Sequence, residues 1–212
     1  MADRGSFLTG LRRAGKLAGC APHGSAVNER REYMSEPANQ TIRDMIERRS
    51  CRSFRPDMVP HETIEKIIEA GLYAASGRGM QSPIIVAVTE RTLRDRLSES
   101  NRKIGGWKEG FDPFYGAPVV LIVLADKTRP TAVYDGSLVM GNLMVAAQSL
   151  GVASCWIHRA KEEFETEEYR ALLKSLGVEG DYEGIGHCVL GYPAKPLPSA
   201  PARRENRVFC VE

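Results

Sequence analysis

Little in this 212-residue chain points to a membrane, a metal centre or a polyanion. No apolar run approaches the roughly 20 residues that cross a bilayer, and residues 1–33 hold no continuous apolar core of a signal peptide. Charge of one sign is lacking too. Lys and Arg number 29 and Asp and Glu 27, and the resulting +2 is too even for a binder of nucleic acid or membrane surfaces. The five cysteines, Cys20, Cys51, Cys155, Cys188 and Cys210, include no C-x-x-C pair and no zinc or iron–sulfur spacing. That usage suits a reducing, cytoplasmic setting, with a redox pair among them left open. Three enzyme signatures are also missing. No G-x-G-x-x-G follows a strand, no Gly-Lys-Ser/Thr closes a phosphate loop, and no Ser or Cys nucleophile comes with an acid partner.

What is present can bury one core: 42% of the residues are hydrophobic, and a chain of this length reads as one domain. Residues 1–33 stand apart, mixing Gly, Ser, Ala and basic residues without apolar periodicity. They read as a disordered tail or as an over-extended start upstream of Met34. Arg12, Arg13 and Lys16 carry only a weak suggestion of mitochondrial targeting.

Positive charge is concentrated in one place, Arg48-Arg49-Ser50-Cys51-Arg52-Ser53-Phe54-Arg55-Pro56. Upstream, Ile42, Met45 and Ile46 have the spacing of one buried helix face, with Thr41 and Asp44 as its cap. Guanidinium forks match phosphate oxygens and a serine hydroxyl adds a contact, so the cluster suits a small anion. A solvated basic helix end near a C-terminal dipole is the competing reading.

A second helix opens at Pro60-His61-Glu62, with Ile64, Ile67, Ile68 and Leu72 inward. It runs out in the turn from Ala74 to Pro83, where Gly77 and Gly79 permit close backbone approach to a ligand and Gln81 offers donor and acceptor. A merely flexible turn is the alternative. The run 84–88 predicts a strand covered on both faces, 92–102 a helix, and 119–124 a second strand. Between them Trp107, Phe111, Phe114 and Tyr115 stud a glycine-rich loop, either a mobile lid or a loop pinned to the body. From Tyr134 to Leu150 the chain is apolar almost all round, as in an interior or subunit-interface helix. A strand over 153–157 ends in His158 and Arg159. Thr166 caps a last helix with Tyr169, Leu172, Leu173 and Leu176 inward, and a final strand covers 187–190. His187 reads as a packed strand residue, since no second metal ligand sits at usable spacing.

Three elements occur in one order: R-R-S-x-R-x-F at 48–54, S-G-x-x-x-Q at 76–81, and L-G-Y-P at 190–193 followed by a basic tail. Together they resemble the flavin-dependent nitroreductase family, from near Glu36 onward. The resemblance implies an N-terminal extension over 1–35 and an FMN-binding domain over 36–212. The implied fold is α+β, a central mixed β-sheet flanked by helices in an intertwined homodimer. It implies FMN as cofactor, NADH or NADPH as electron donor, and a small oxidised acceptor such as a nitroaromatic or a quinone, reduced by a ping-pong cycle. FMN carries the chemistry, so no catalytic side chain is implied.

By that resemblance Arg48, Arg49, Ser50 and Arg52 hold the phosphate, ribityl chain and pyrimidine edge. Ser76, Gly77 and Gln81 reach an FMN bound largely by the partner subunit. Ile157, His158 and Arg159 lie at the N5 edge, where a backbone N–H meets N5 or O4. Arg203 and Arg204 cap the phosphate, and residues 208–211 form an arm that adds to the partner's sheet. The sequence departs from the family pattern at Ala75, Gly79 and Ser82, and Gly79 removes a side chain that usually contacts the flavin. Arg159 is larger than the family's usual residue there. A non-catalytic flavin carrier or sensor is the alternative function, and a flavin-free module for small anions or nucleotides is a third.

Overall fold

The computed structural model describes residues 39–211, so the expected extension over 1–35 lies outside the described residues. Residues 38–201 make one compact unit, and residues from 202 onward belong to another. In the larger unit α1 (Gln40–Glu47) and α2 (His61–Leu72) precede a short 3-10 turn at Gly77–Gly79. β1 (Pro83–Val88), α3 (Arg91–Ile104), β2 (Val119–Asp126) and α4 (Ala132–Ser149) follow. β3 (Ala153–Ile157), α5 (Ala160–Phe164), α6 (Glu167–Ser175) and β4 (Tyr182–Gly191) complete it.

The four strands form one sheet in the order β1-β2-β4-β3, with every neighbouring pair antiparallel. A parallel contact enters through the isolated bridge between Ser50 and Ser154, which lays the arginine segment along the β3 edge. β2 is an unbroken apolar run, Val119 to Ala125, and all of it is buried. Such a strand needs cover on both faces, and side-chain alternation divides it between two cores. Val120, Ile122 and Leu124 face a cluster with Leu97, Phe114, Phe164 and Tyr169. Leu121 and Val123 face Ile64, Ile67, Met140 and Leu143 from α2 and α4. The α+β class and the helix-flanked sheet are as the sequence implied.

Several local expectations need correction. Asn39, not Thr41, caps α1, its side chain accepting from the Ile42 N–H at 3.1 Å. The residue α1 buries is Asp44, which accepts a hydrogen bond from Gln40 Nε2 at 2.8 Å, while Ile42, Met45 and Ile46 face outward. Periodicity shows which face seeks cover but not which surface supplies it. Leu72 and Leu176, the last apolar residues of their helical runs, are exposed for the same reason. β1 is only half-covered, because it lies at the sheet edge. Thr166 stands at the N-cap of α6, but its hydroxyl donates to the Glu163 carbonyl instead. β4 starts five residues before the expected 187, hidden by Gly184 and Gly186. A Cβ at Gly184 would collide with the Ala160 backbone, so that glycine lets α5 lie on the strand.

Candidate functional site

The arginine segment leaves α1 through Arg48, its C-cap, and runs beside β3, with the Cys51 N–H donating to the Ser154 carbonyl at 2.9 Å. Arg48 and Ser50 are half-buried and Arg52 is exposed. All three influence the Cys155 thiol of β3. Burial pushes that thiol above its ordinary value, opposed by the Arg52 charge, the Ser50 side chain and the Arg48 charge. Among the described residues no carboxylate pairs with Arg48, Arg49 or Arg52. Arg48 Nη1 is buried without a hydrogen-bond partner. A buried guanidinium nitrogen in that state is costly unless an anion meets it. Arg49 is engaged differently from its expected ligand role. Its Nη1 donates to the carbonyls of Ile46 at 2.8 Å and Arg48 at 2.6 Å, closing the end of α1.

β3 delivers Ile157, buried, and then His158 and Arg159, exposed, next to the arginine segment. Arg159 has φ 82°, the left-handed region that non-glycine residues seldom occupy. The turn is fixed from inside by Asn101, whose Nδ2 donates to the His158 carbonyl at 2.7 Å. The sequence reading missed Asn101, since a polar residue late in an amphipathic helix looks solvated. The Arg159 side chain meets Glu162 at 2.8 Å. Below the turn, His187 Nε2 lies 2.7 Å from Glu163 Oε2, both residues wholly buried, although the N–H does not point along that line. Phe114 stacks on His187 at 5.2 Å. His187 is thus a packed strand residue, and no group of three metal-ligating side chains occurs among the described residues.

The glycine turn is held by a second residue missed in the sequence. Buried Asp135, in the first turn of α4, accepts from the Gly77 N–H at 2.9 Å and from Thr131 Oγ1 at 2.9 Å. A Cβ at Gly77 would run into the Thr131 side chain, so glycine is required for that approach. Ser76 Oγ accepts from the Gln81 N–H at 2.9 Å, while Arg78 and Gln81 both adopt positive φ. Ser76 and Gln81 also line a cavity of about 130 Å³ with Leu72, Ala74, Ala75, Pro83 and Val139. Ligand pockets run to roughly 300–1,000 Å³, so this cavity alone is smaller than a typical ligand site.

The turn leads into the β1 edge and the arginine cluster lies on the β3 edge. Three interstrand spacings, roughly 14 Å, separate those edges. The glycine turn and the arginine segment thus adjoin opposite edges of the sheet. The aromatic loop is pinned at its C-terminal half: Asp112 accepts from Arg94 Nη2 at 2.5 Å, Ser98 Oγ at 2.6 Å, the Phe114 N–H at 2.9 Å and the Gly116 N–H at 2.7 Å. Arg203 and Arg204 are exposed and belong to the other compact unit.

Residues 45–192 match the model of the nitroreductase family. The chain belongs to the nitroreductase family. That match spans the arginine segment, the glycine turn and the β3 end, and closes at Tyr192 within the L-G-Y-P turn. The crystal structure of a nitroreductase with bound FMN from Bacteroides fragilis superposes with a TM-score of 0.76 at 29% identity, covering 82% of this chain and 100% of that one. A Vibrio harveyi NADPH-flavin oxidoreductase is 28% identical over 185 residues, 80% of this chain and 75% of that protein. A Bacillus subtilis FMN reductase acting with NAD(P)H is 25% identical over 192 residues, 80% of this chain and 72% of that protein. Among the described residues no helix is long and apolar enough to cross a membrane.

Proposed function

We propose that this chain is an FMN-dependent oxidoreductase that takes electrons from NADH or NADPH and passes them, in a ping-pong cycle, to a small oxidised acceptor of the nitroaromatic or quinone type. The observation that carries the reading is the cluster of Arg48, Ser50 and Arg52, without a carboxylate and with one guanidinium nitrogen buried and unpartnered. A phosphate-bearing ligand laid along the β3 edge satisfies it. The family relatives named for FMN and for NAD(P)H support the same ligand and donor.

When bound, FMN supplies hydride acceptance and donation. Arg48 and Ser50 would hold the phosphate, a role proposed also for Arg203 and Arg204. Arg52 faces the pyrimidine edge and Arg49 fixes the end of α1 behind it. The end of β3 at Ile157 would lie beside the flavin, with a backbone N–H at His158 or Arg159 available to its N5 edge. Ser76, Gly77 and Gln81 reach the flavin of a second copy.

Two observations support a homodimer. The halves of the site lie on opposite sheet edges. Ile42, Met45 and Ile46 of α1, together with Tyr134 and Leu138 of α4, also leave an apolar surface facing outward. The chain from Met34 onward is proposed to suffice for binding, with residues 1–33 dispensable.

The test is direct. Protein purified with FMN should be yellow, bleach anaerobically on adding NADH or NADPH, and regain colour with a quinone or nitroaromatic. Bleaching without recovery across an acceptor panel favours a carrier, and failure to retain FMN refutes the reading.

A further inference from the structure

We propose that Asn101 is a positioning residue: it sets the peptide between His158 and Arg159 so that the Arg159 N–H faces outward, toward the flavin edge. The inference rests on the reading above and goes beyond it. Asn101 sits on α3, wholly buried, and reaches 57 residues along the chain to the His158 carbonyl at 2.7 Å. A carbonyl only accepts, so the amide nitrogen must be the atom that faces it. The peptide is planar and trans, which makes its C=O and N–H point in opposite directions. Drawing the His158 carbonyl inward therefore turns the Arg159 N–H outward. Among the described residues none accepts a hydrogen bond from that N–H.

The arrangement runs against local preference in two places. Arg159 is a non-glycine residue at φ 82°, a conformation in which Cβ crowds the backbone. Rotating the 158–159 peptide by half a turn would return φ to the ordinary negative range and relieve that crowding. The Asn101 hydrogen bond opposes this flip. The Arg159 carbonyl already accepts from the Glu163 N–H at 3.0 Å, so the chain after the turn is held and the flip is the freedom left. The second conflict is in Asn101 itself, whose Oδ1 is buried with no partner. A leucine has the same branched shape and no polar atom of its own to strand, but it is bulkier and leaves the His158 carbonyl without its donor. A residue kept at that cost, and bonded to the one carbonyl that orients the turn, serves orientation and not packing.

The experiment measures FMN dissociation constants by titration, and melting temperatures of the flavin-free protein, for the parent, Asn101→Leu, Arg159→Gly and the double variant. Asn101→Leu should bind FMN about fivefold more weakly or worse, the worth of one neutral hydrogen bond, while its melting temperature reports separately the cost of a bulkier side chain and an unpaired His158 carbonyl. Glycine tolerates positive φ without a clamp, so the double variant should bind FMN within about twofold of Arg159→Gly alone. If Asn101→Leu binds FMN as the parent does, or if glycine at 159 does not cancel its effect, the proposal is wrong while the flavin reading stands. If the parent itself binds no FMN, both fail together. Should Asn101→Leu not fold, Asn101→Ala takes its place. Its cavity lowers the melting temperature, but the same cancellation by glycine in FMN affinity is required.

Discussion

Replacing Asp135 tests whether the glycine turn is held from beneath by a charged acceptor. Asp135 is 3% exposed and receives two hydrogen bonds, from the Gly77 N–H and from Thr131 Oγ1, each at 2.9 Å. Hydrogen bonds to charged groups contribute about 1.5–3 kcal/mol each. Asp135→Ala removes both, and it returns the desolvation cost of the carboxylate, so a net loss of about 3 kcal/mol is expected. For a domain of this size that is a fall in Tm of roughly 6–12 °C. Asp135→Asn keeps an acceptor for the Gly77 N–H and can pair with the Thr131 hydroxyl, which should confine the loss to about 1 kcal/mol. Thermal and urea unfolding of parent and variants, with FMN titrations on each, supply the comparison. Asp135→Ala should weaken FMN binding as well, because Ser76 and Gln81 flank the residue that is released. If Asn costs as much as Ala, the charge matters and not the acceptor geometry. If Ala costs under about 1 kcal/mol, Asp135 does not hold the turn and the argument fails.

Removing an arginine proposed to hold the phosphate, by Arg48→Ala or Arg203→Ala, should weaken FMN binding by about 1.5–3 kcal/mol with little change in midpoint potential. Arg52→Ala should instead lower the potential, by about 30 mV for each 1.4 kcal/mol of differential loss on the reduced ring. Spectroelectrochemistry on the three variants shows whether those roles are inverted. Leu138→Asp places a charge on the outward apolar face of α4, where Leu138 is 50% exposed. It should give a folded monomer with little FMN by analytical ultracentrifugation, and a persistent dimer would put the interface elsewhere.

The Asp112 carboxyl is pushed up by burial, but hydrogen bonds from Arg94 and Ser98, the Arg94 charge and the Gly116 N–H together hold it below the usual carboxylate range. A folded-state pKa below the unfolded one gives stability that is complete above the unfolded value and lost as pH falls through the folded one, here below about pH 4. The parent's Tm should therefore fall more steeply than that of Asp112→Asn on acidification. Parallel curves would mean that Asp112 contributes nothing to acid stability.

Much of this protein was legible in the linear chain. The apolar runs at 84–88 and 119–124 read as strands from their β-rich composition, but double cover was expected of the first and is found on the second, because the first lies at the sheet edge. The arginine cluster, the glycine turn and the L-G-Y-P turn carry their chemistry in residue type and short spacing, and those survive inspection without coordinates. Other features depend on which distant surface a side chain meets. The periodicity of Ile42, Met45 and Ile46 marked an apolar face, yet one chain leaves that face uncovered. Asn101 and Asp135 look like ordinary polar helix residues, and become part of the site only because folding sets them against His158 and Gly77, each more than 50 residues away in sequence. The order β1-β2-β4-β3, which no local pattern encodes, separates the two halves of the site. Sequence determines what a segment can bind, since that follows from its own functional groups. Tertiary structure decides which groups are buried and which backbone atoms are turned outward, because those depend on long-range packing.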